Sequence, residues 1–261
     1  MLTITLLAKA YDEARLRQVD GLLKTKLQGL KTEAQINGTT TRGWIRATVS
    51  GEDERAAVHY LADEIGLCPT NLERIEKFST VEGRITGLNK NKGELRLDVG
   101  IFEPEVVDAE IPQSRLQAQL GDGRRIALGK LIELYGFCDN LPLAVKVSDL
   151  GRNKNRIEAM LSEKQLSIYR NWTESLLDRL IVLGASQQEV RSALERARSE
   201  RDVVDVEPLG LLEFAVVCKL GTDAAGLIPR IGRSLRNAAF TVFNPRRIRG
   251  FFEESTITQN G

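Results

Sequence analysis

The densest group of side chains that could bind a ligand in this 261-residue sequence is a set of arginines near its C-terminal end. No acidic residue occurs between Asp223 and Glu253, and phenylalanines are interleaved with the basic residues there. Arginine side chains bind phosphate through parallel N–H groups and also stack on bases. The pattern therefore predicts a surface for the RNA backbone, and a solvated basic helix face is the alternative. The predicted RNA-binding arginines are Arg230, Arg233, Arg236, Arg246, Arg247 and Arg249.

A strand, a glycine turn and a helix start are predicted just before these arginines. In that place Lys219 and Thr222 are positioned to contact an RNA phosphate at the N-terminus of the helix. Gly221 and Gly226 have the spacing of a P-loop, but two apolar residues follow where lysine and serine or threonine are required. Nucleotide hydrolysis is therefore not predicted. The simpler alternative is that Thr222 caps the helix and Gly221 forms the turn.

Other residue types give no catalytic or metal-binding pattern. His59 is the single histidine, and Cys68, Cys138 and Cys218 are isolated and odd in number. This favours a reducing, cytoplasmic setting and argues against a disulfide framework or a thiolate zinc site. We expect no catalytic residue, no metal, no cofactor and no enzymatic activity.

Charge and hydropathy limit the kinds of partner that the chain can bind. The net charge is +1, so strong attraction of the whole chain to a polyanion is not expected. No apolar run approaches the roughly 20 residues of a membrane-spanning helix, so no membrane partner is predicted. Residues 151–261 carry 17 basic and 14 acidic groups, which places the basic excess in the last third.

The pattern of strands and helices in the sequence, which must position these residues, predicts an α+β protein of three domains. Residues 1–78 alternate as strand, helix led by Asp12 and Glu13, two strands and helix, with a short closing strand expected near Leu72–Ile75, which indicates a βαββα sandwich. Residues 79–150 contain short strands of period two with glycine and proline between them, which indicates a five-stranded barrel of the OB type. Lys90 and Lys92 lie at a predicted hairpin tip and are candidate phosphate contacts, or simply a solvated turn.

Residues 151–261 are predicted as a helical hairpin followed by a basic αβ domain. Capping boxes at Ser162 and Ser186 open two helices, the first of which is expected to end at Gly184. Strand-like runs follow, and a helix is expected from Thr222 to about Asn237. In a continuous helix, arginines that recur every three residues lie along one side.

The central domain resembles the S1-like OB domains. The resemblance rests on Val81-Glu-Gly-Arg-Ile85, Leu97-Asp-Val-Gly100 and Ala109-Glu-Ile-Pro112. S1-like domains bind single-stranded RNA, which stacks on aromatic residues of their second and third strands. The second strand here has no aromatic residue, so the barrel is either an RNA-binding module or a protein-docking module.

The whole chain is identified as a member of a family of archaeal conserved proteins with no established activity. The most specific segments are Asp202–Pro229 and Tyr135–Leu143. The order of domains is also similar to that of the archaeal initiation factor two alpha subunit, at the level of architecture alone. The resemblance implies an archaeal, cytoplasmic setting and transfers no catalytic residue.

These observations favour a non-enzymatic, archaeal protein that binds RNA in translation or RNA processing. The expected partners are ribosomal or transfer RNA, together with ribosomal or translation-factor proteins. The alternative is a protein-interaction adaptor that docks its partners on the barrel and on the first domain.

Overall fold

The N-terminal unit is an antiparallel sheet with two helices on one face. The computed structural model describes residues 1–88, 93–151 and 156–257, and of residues 255–257 only the backbone. The three strands pair in the order β1-β3-β2. Asp12 caps the first helix by accepting a hydrogen bond from the Arg15 amide at 2.8 Å. The elements are β1 (Leu2–Lys9), α1 (Glu13–Lys26), β2 (Thr32–Thr39), β3 (Trp44–Gly51) and α2 (Glu54–Glu64).

A short extended segment lies beside the free side of β1. Leu67 forms an antiparallel bridge with Leu6, and the Cys68 amide donates to the Thr5 carbonyl at 2.8 Å. The unit therefore has the topology strand-helix-strand-strand-helix-strand with a rudimentary last strand. We expected the closing strand at Leu72–Ile75, but residues Leu72–Arg74 form a single 3-10 turn.

The central unit is a closed five-stranded barrel, as the sequence predicted. β6 pairs with both β5 and β7, and the ring continues through β8 and β9 back to β7. The inward side chains of β6 alternate along the strand, and Leu95 and Leu97 are fully buried. The elements are β4 (Thr70–Asn71), which joins the edge of β6, β5 (Thr80–Thr86), β6 (Glu94–Glu103), β7 (Val107–Pro112), α3 (Gln113–Leu120), α4 (Leu128–Tyr135), β8 (Pro142–Leu150) and β9 (Ile157–Leu161).

The fifth strand of the barrel lies beyond residue 150, where we expected the barrel to end. Ile157, Ala159 and Leu161 are buried and alternate with less buried residues, so β9 has the period of a strand. It pairs with β8 and β7 and so removes the last open edges of the barrel. The barrel therefore extends past residue 150, the boundary that we predicted for it.

The C-terminal unit is a four-stranded antiparallel sheet with helices on one face. The strand order is β11-β12-β10-β13, and the element order from β10 to β13 is βαββαβ. This arrangement is the split βαβ, or ferredoxin-like, topology. The elements are α5 (Glu163–Ser175), β10 (Arg179–Leu183), α6 (Gln187–Arg196), β11 (Val203–Pro208), β12 (Glu213–Cys218), α7 (Ala224–Ile231), β13 (Ala239–Phe243) and α8 (Pro245–Ile257).

The predicted helical hairpin is wrong, because a strand separates the two helices. α5 ends at Ser175, and Leu176 adopts a left-handed conformation with φ of 58°. β10 then lies inside the sheet, where Leu180 and Val182 pack on α6 and α7 while Ile181 and Leu183 face the barrel side. A strand buried on both faces is a continuous apolar run, which a sequence pattern does not distinguish from a buried helix.

Buried charged groups join the three units. Arg84 of β5 places Nη2 3.3 Å from Glu213 Oε2 of β12 and 3.0 Å from the Leu7 carbonyl oxygen. The Tyr11 hydroxyl donates to Glu213 Oε1 at 2.9 Å, and burial raises the pKa of Tyr11. Each of the three units thus supplies one of these side chains.

A second buried pair links the N-terminal unit to the barrel. Lys9 Nζ lies 2.7 Å from Asp98 Oδ2, and Trp44 Nε1 donates to the other oxygen at 2.9 Å. Asp98 is 1% exposed, so its charge depends for solvation on these two partners, on the Gly100 amide at 3.1 Å and on Arg42 at 3.8 Å.

The two outer units also contact each other directly. Arg15 is the third residue of α1 after its cap, and Glu189 holds the same position in α6. Arg15 Nη1 lies 2.5 Å from both carboxylate oxygens of Glu189, and Gln18 Nε2 donates to the Ser186 hydroxyl at 2.8 Å. Topologically equivalent helices of the two outer units therefore meet at their N-terminal ends.

Candidate nucleic-acid interface

Two helices begin at one cleft of the C-terminal unit. β12 ends at Cys218, and a turn with Gly221 at φ of 90° leads to α7. β13 ends at Phe243, and α8 begins two residues later. The cleft between these connections has a volume of about 170 Å³. It is lined by Leu176, Asp178, Lys219, Gly221, Thr222, Asp223, Asn244 and Arg246.

Side chains cap both helices at this cleft. Asp223 accepts a hydrogen bond from the Ala225 amide at 3.0 Å, so it caps α7. Asn244 Oδ1 accepts from the Arg247 amide at 2.9 Å, so it caps α8. Helix N-termini carry a partial positive charge, and here two of them converge.

Asp178 forms the base of the cleft and is 8% exposed. One of its carboxylate oxygens accepts from Asn244 Nδ2 at 3.1 Å and from the Ala224 amide at 3.4 Å. Burial raises the pKa of Asp178, and the neighbouring Asp223 carboxylate raises it further. Asp178 therefore links the two connections through one carboxylate oxygen.

Lys219 and Arg246 supply the positive side chains of the cleft. Both are exposed, and the Lys219 amide is anchored by a 2.8 Å hydrogen bond to the Asp202 carbonyl. Leu220 beside them is 69% exposed, which is unusual for a large apolar side chain. Two cations, two helix N-termini and an apolar tip suit a phosphate that carries a base or another flat group.

The cleft lacks the groups that a P-loop requires. Leu227 stands where the lysine would be, and it is 1% exposed within the core beneath α7. The cleft is therefore not a P-loop, and its geometry supports binding of an anion.

The structure brings together Lys219, Thr222 and Arg246, but it separates them from part of the predicted arginine surface. α7 ends at Ile231, whereas we expected a helix to about Asn237. Arg233 and Arg236 are exposed in the turns after α7, and Arg236 lies near the end of β13 that pairs with Leu183. The cleft lies at the other end of β13, so the prediction of one continuous surface is wrong.

Two predicted arginines already have acidic partners. Arg230 lies at the end of α7, and its Nη1 is 2.8 Å from Asp202 Oδ2. Arg247 forms an ion pair with Glu133 of α4 and so fixes α8 against the barrel unit. Each of these arginines is therefore partly neutralised.

The other predicted contacts are distributed differently. Arg249 is exposed on α8, three residues after Arg246 and so on the same side of the helix. Lys90 and Lys92 lie outside the described residues.

Sequence reasoning missed Asn244 and Asp178. Asn244 is followed by proline, and a polar cap followed by proline at the first helical position is a known helix start. That signal was available and predicts α8. Asp178 had no such signal, because its role depends on a strand that was interpreted as a helix.

Among residues 1–88, 93–151 and 156–257, no group of three or more histidine, cysteine, aspartate or glutamate side chains could hold a metal ion. Within the same ranges, no helix is long and apolar enough to cross a membrane.

The fold and the cleft define a class of α+β proteins in which a closed five-stranded barrel lies between two units of split βαβ topology. The chain belongs to the DUF2110 family. The models of the DUF2110 N-terminal, central and C-terminal domains match residues 3–70, 75–173 and 177–243.

No curated protein matches the chain. Among solved structures, the intact alpha subunit of aIF2 from Pyrococcus abyssi is 12% identical, with a TM-score of 0.26. That match covers 65% of this chain and 96% of the other chain. A similarity this low carries no argument about the fold or the function of this protein.

Proposed function

We propose that this protein binds RNA through the cleft at the N-termini of α7 and α8 and that it has no catalytic activity. The observation that carries the proposal is the position of Lys219 and Arg246, which are both exposed beside two convergent helix N-termini. Amide groups at helix ends and basic side chains are the groups that bind backbone phosphates. Exposed Leu220 and Arg249 extend the contact beyond one phosphate.

The non-catalytic part of the proposal rests on the absence of an activated nucleophile in the described ranges that surround the cleft. Burial raises the pKa of Cys138 to about 12 and that of Cys218 to about 12, so both thiols stay protonated at neutral pH. His59 is exposed on α2 in the other outer unit. The proposed setting, translation or RNA processing, rests on the resemblance in sequence between the central barrel and the S1-like RNA-binding domains.

Salt-dependent binding tests the proposal. Each phosphate contact on a single strand contributes about −0.7 to the slope of log affinity against log salt. Lys219→Ala/Arg246→Ala should therefore weaken binding of a fluorescein-labelled 12-nucleotide RNA and make the slope less negative by about 1.4. The matched control is Arg233→Ala/Arg236→Ala, which removes two exposed charges at the other end of the sheet.

The two variants distinguish RNA binding at the cleft from RNA binding near Arg236. If the control loses affinity and slope while the cleft variant keeps both, the RNA site lies near Arg236 and the cleft is not the binding site. If the unmodified protein binds the RNA no more strongly than a neutral polymer, RNA binding itself is refuted.

A further inference from the structure

A larger cleft lies where the three units meet. Its volume is about 990 Å³, at the upper end of the range for ligand sites. Its walls come from α1, the end of α2, β5, the start of α6 and the turn between β11 and β12. The half-buried side chains of Leu22, Ile65 and Leu211 give it an apolar surface, and Phe214 lies among them.

A second, smaller cavity of about 140 Å³ adjoins the cleft. Glu82, Pro208 and Leu209 line both spaces, and the two together are called the groove. The second cavity lies against α5, where Ile168 is on its wall. Two adjoining spaces accommodate successive side chains of a polypeptide better than one compact group.

The lining of the large cleft is acidic. Three carboxylates, Asp63, Glu64 and Glu82, and one ammonium group, Lys26, give a net charge of −2. Lys26 Nζ lies 2.6 Å from Glu64 Oε2, which partly neutralises that pair. Lys164 in the smaller cavity lies 3.9 Å from Glu82, so the two cavities together carry a net charge of −1.

The end of α2 adds to the negative potential of the cleft. Carbonyl groups at a helix C-terminus carry a partial negative charge, which basic residues commonly offset. The last turn of α2 has no basic residue and contains Asp63 and Glu64 instead. His59 Nδ1 lies 3.1 Å from Asp63 on the exposed side of the helix. A positively charged ligand group would therefore be stabilised here.

We propose that this groove binds an extended segment of a partner protein in which apolar and basic side chains alternate. The apolar side chains would pack on Leu22, Ile65 and Leu211, and the basic ones would lie near Glu82 and the end of α2. RNA does not fit, because its phosphates meet the same negative lining. This site is separate from the proposed RNA-binding cleft and does not depend on it.

Peptide binding to the full-length protein tests the inference. The probe is a fluorescein-labelled nine-residue peptide of alternating leucine and arginine, compared with one of alternating leucine and glutamate. We expect the basic peptide to bind at least tenfold more tightly by fluorescence anisotropy. Asp63→Lys/Glu82→Lys should weaken its binding about tenfold or more, because two attractive contacts become repulsive.

Glu33→Lys is the matched control, since Glu33 is an exposed carboxylate on β2 outside the groove. It should change peptide affinity less than twofold. Leu22→Gln tests the apolar contact separately from charge and should weaken binding of both peptides.

Four results would overturn the proposal. They are equal binding of the acidic peptide, no binding of the basic peptide at millimolar concentration, competition by the 12-nucleotide RNA for the peptide site, and a dimeric protein that Glu82→Lys converts to a monomer. The last result would assign the groove to a second copy of this chain. Loss of RNA binding in the Lys219→Ala/Arg246→Ala variant leaves the peptide test unaffected, so the two proposals fail separately.

Discussion

The buried pair of Arg84 and Glu213 provides a quantitative test of how the three units are held together. The two side chains are 2% and 0% exposed, so neither charge is solvated by water. Glu213→Leu removes the carboxylate and leaves the Arg84 guanidinium buried with the Leu7 carbonyl as its hydrogen-bond acceptor. Removing one partner of a buried pair costs about 3–5 kcal/mol of folding free energy.

The second variant is Arg84→Met/Glu213→Leu, which removes both charges. Because no uncompensated charge remains, we expect this variant to recover most of the lost stability, and replacement of a buried pair by apolar residues is often close to neutral. The coupling energy between the two positions should therefore reach about 2–3 kcal/mol in a double-mutant cycle.

The assay is urea unfolding at pH 7, followed by circular dichroism. The control is Lys31→Met, because Lys31 and Glu52 form an ion pair whose side chains are both 75% exposed. An exposed pair contributes about 0–1 kcal/mol, so this variant should change the unfolding free energy little. If Glu213→Leu costs no more than Lys31→Met, or if the double variant is less stable than both single ones, the desolvation argument is refuted.

Two further predictions follow from the same structure. Burial alone would raise the pKa of Glu189, but hydrogen bonds from Arg15 and other neighbours lower that pKa to about 2. The ionised carboxylate therefore stabilises the fold above pH 4.5, and this stabilisation is lost as the pH falls from 4.5 toward 2. Since the side chain is 35% exposed, screening reduces this effect to about 1–2 kcal/mol, and Glu189→Gln should abolish that part of the acid dependence in unfolding titrations. Gly100 and Gly123 have similar backbone conformations, with φ of 76° and 74°. A Cβ atom added at Gly100 would lie 2.6 Å from Cys68 Sγ, whereas a Cβ atom added at Gly123 would have no neighbour within 4 Å among the described residues, its own chain neighbours aside. Thermal unfolding should therefore show Gly100→Ala to be less stable than Gly123→Ala by about 1–3 kcal/mol, and equal losses would contradict the proposed clash.

The elements predicted correctly are those whose sequence pattern fits only one kind of secondary structure. The alternation in Glu94–Gly100 indicates a strand with one buried face, and this segment lies in β6 (Glu94–Glu103) of the predicted barrel. The acid that caps α1, Asp12, likewise predicts a helix start at the observed position. In both places the local signal and the tertiary contacts agree.

The wrong helical hairpin has one physical origin, which is burial on two sides. Leu180 and Leu183 continue the apolar stripe of α5 in sequence, yet they point to opposite faces of a central strand. The extension of α7 through Arg233 is a separate error, because Pro229 already lies in the last turn of that helix. Sequence alone does not show that a second layer covers β10, so the strand and the cleft that depends on it were not predicted.

The contact between Tyr11 and Glu213 also bears on how the chain folds as it is synthesised. The two residues are 202 positions apart, so a ribosome makes the whole first unit and barrel long before Glu213 emerges. Until then Arg84 has no carboxylate partner from β12, and we expect its guanidinium to remain hydrated at an open surface of the barrel. Domains generally fold as units in the order of synthesis, at about 5–20 residues per second. β9 ends at Leu161, 52 residues before Glu213, so the first two units spend about 3–10 seconds without the closing contact. Synthesis of β12 is what allows the three linked units to become one body.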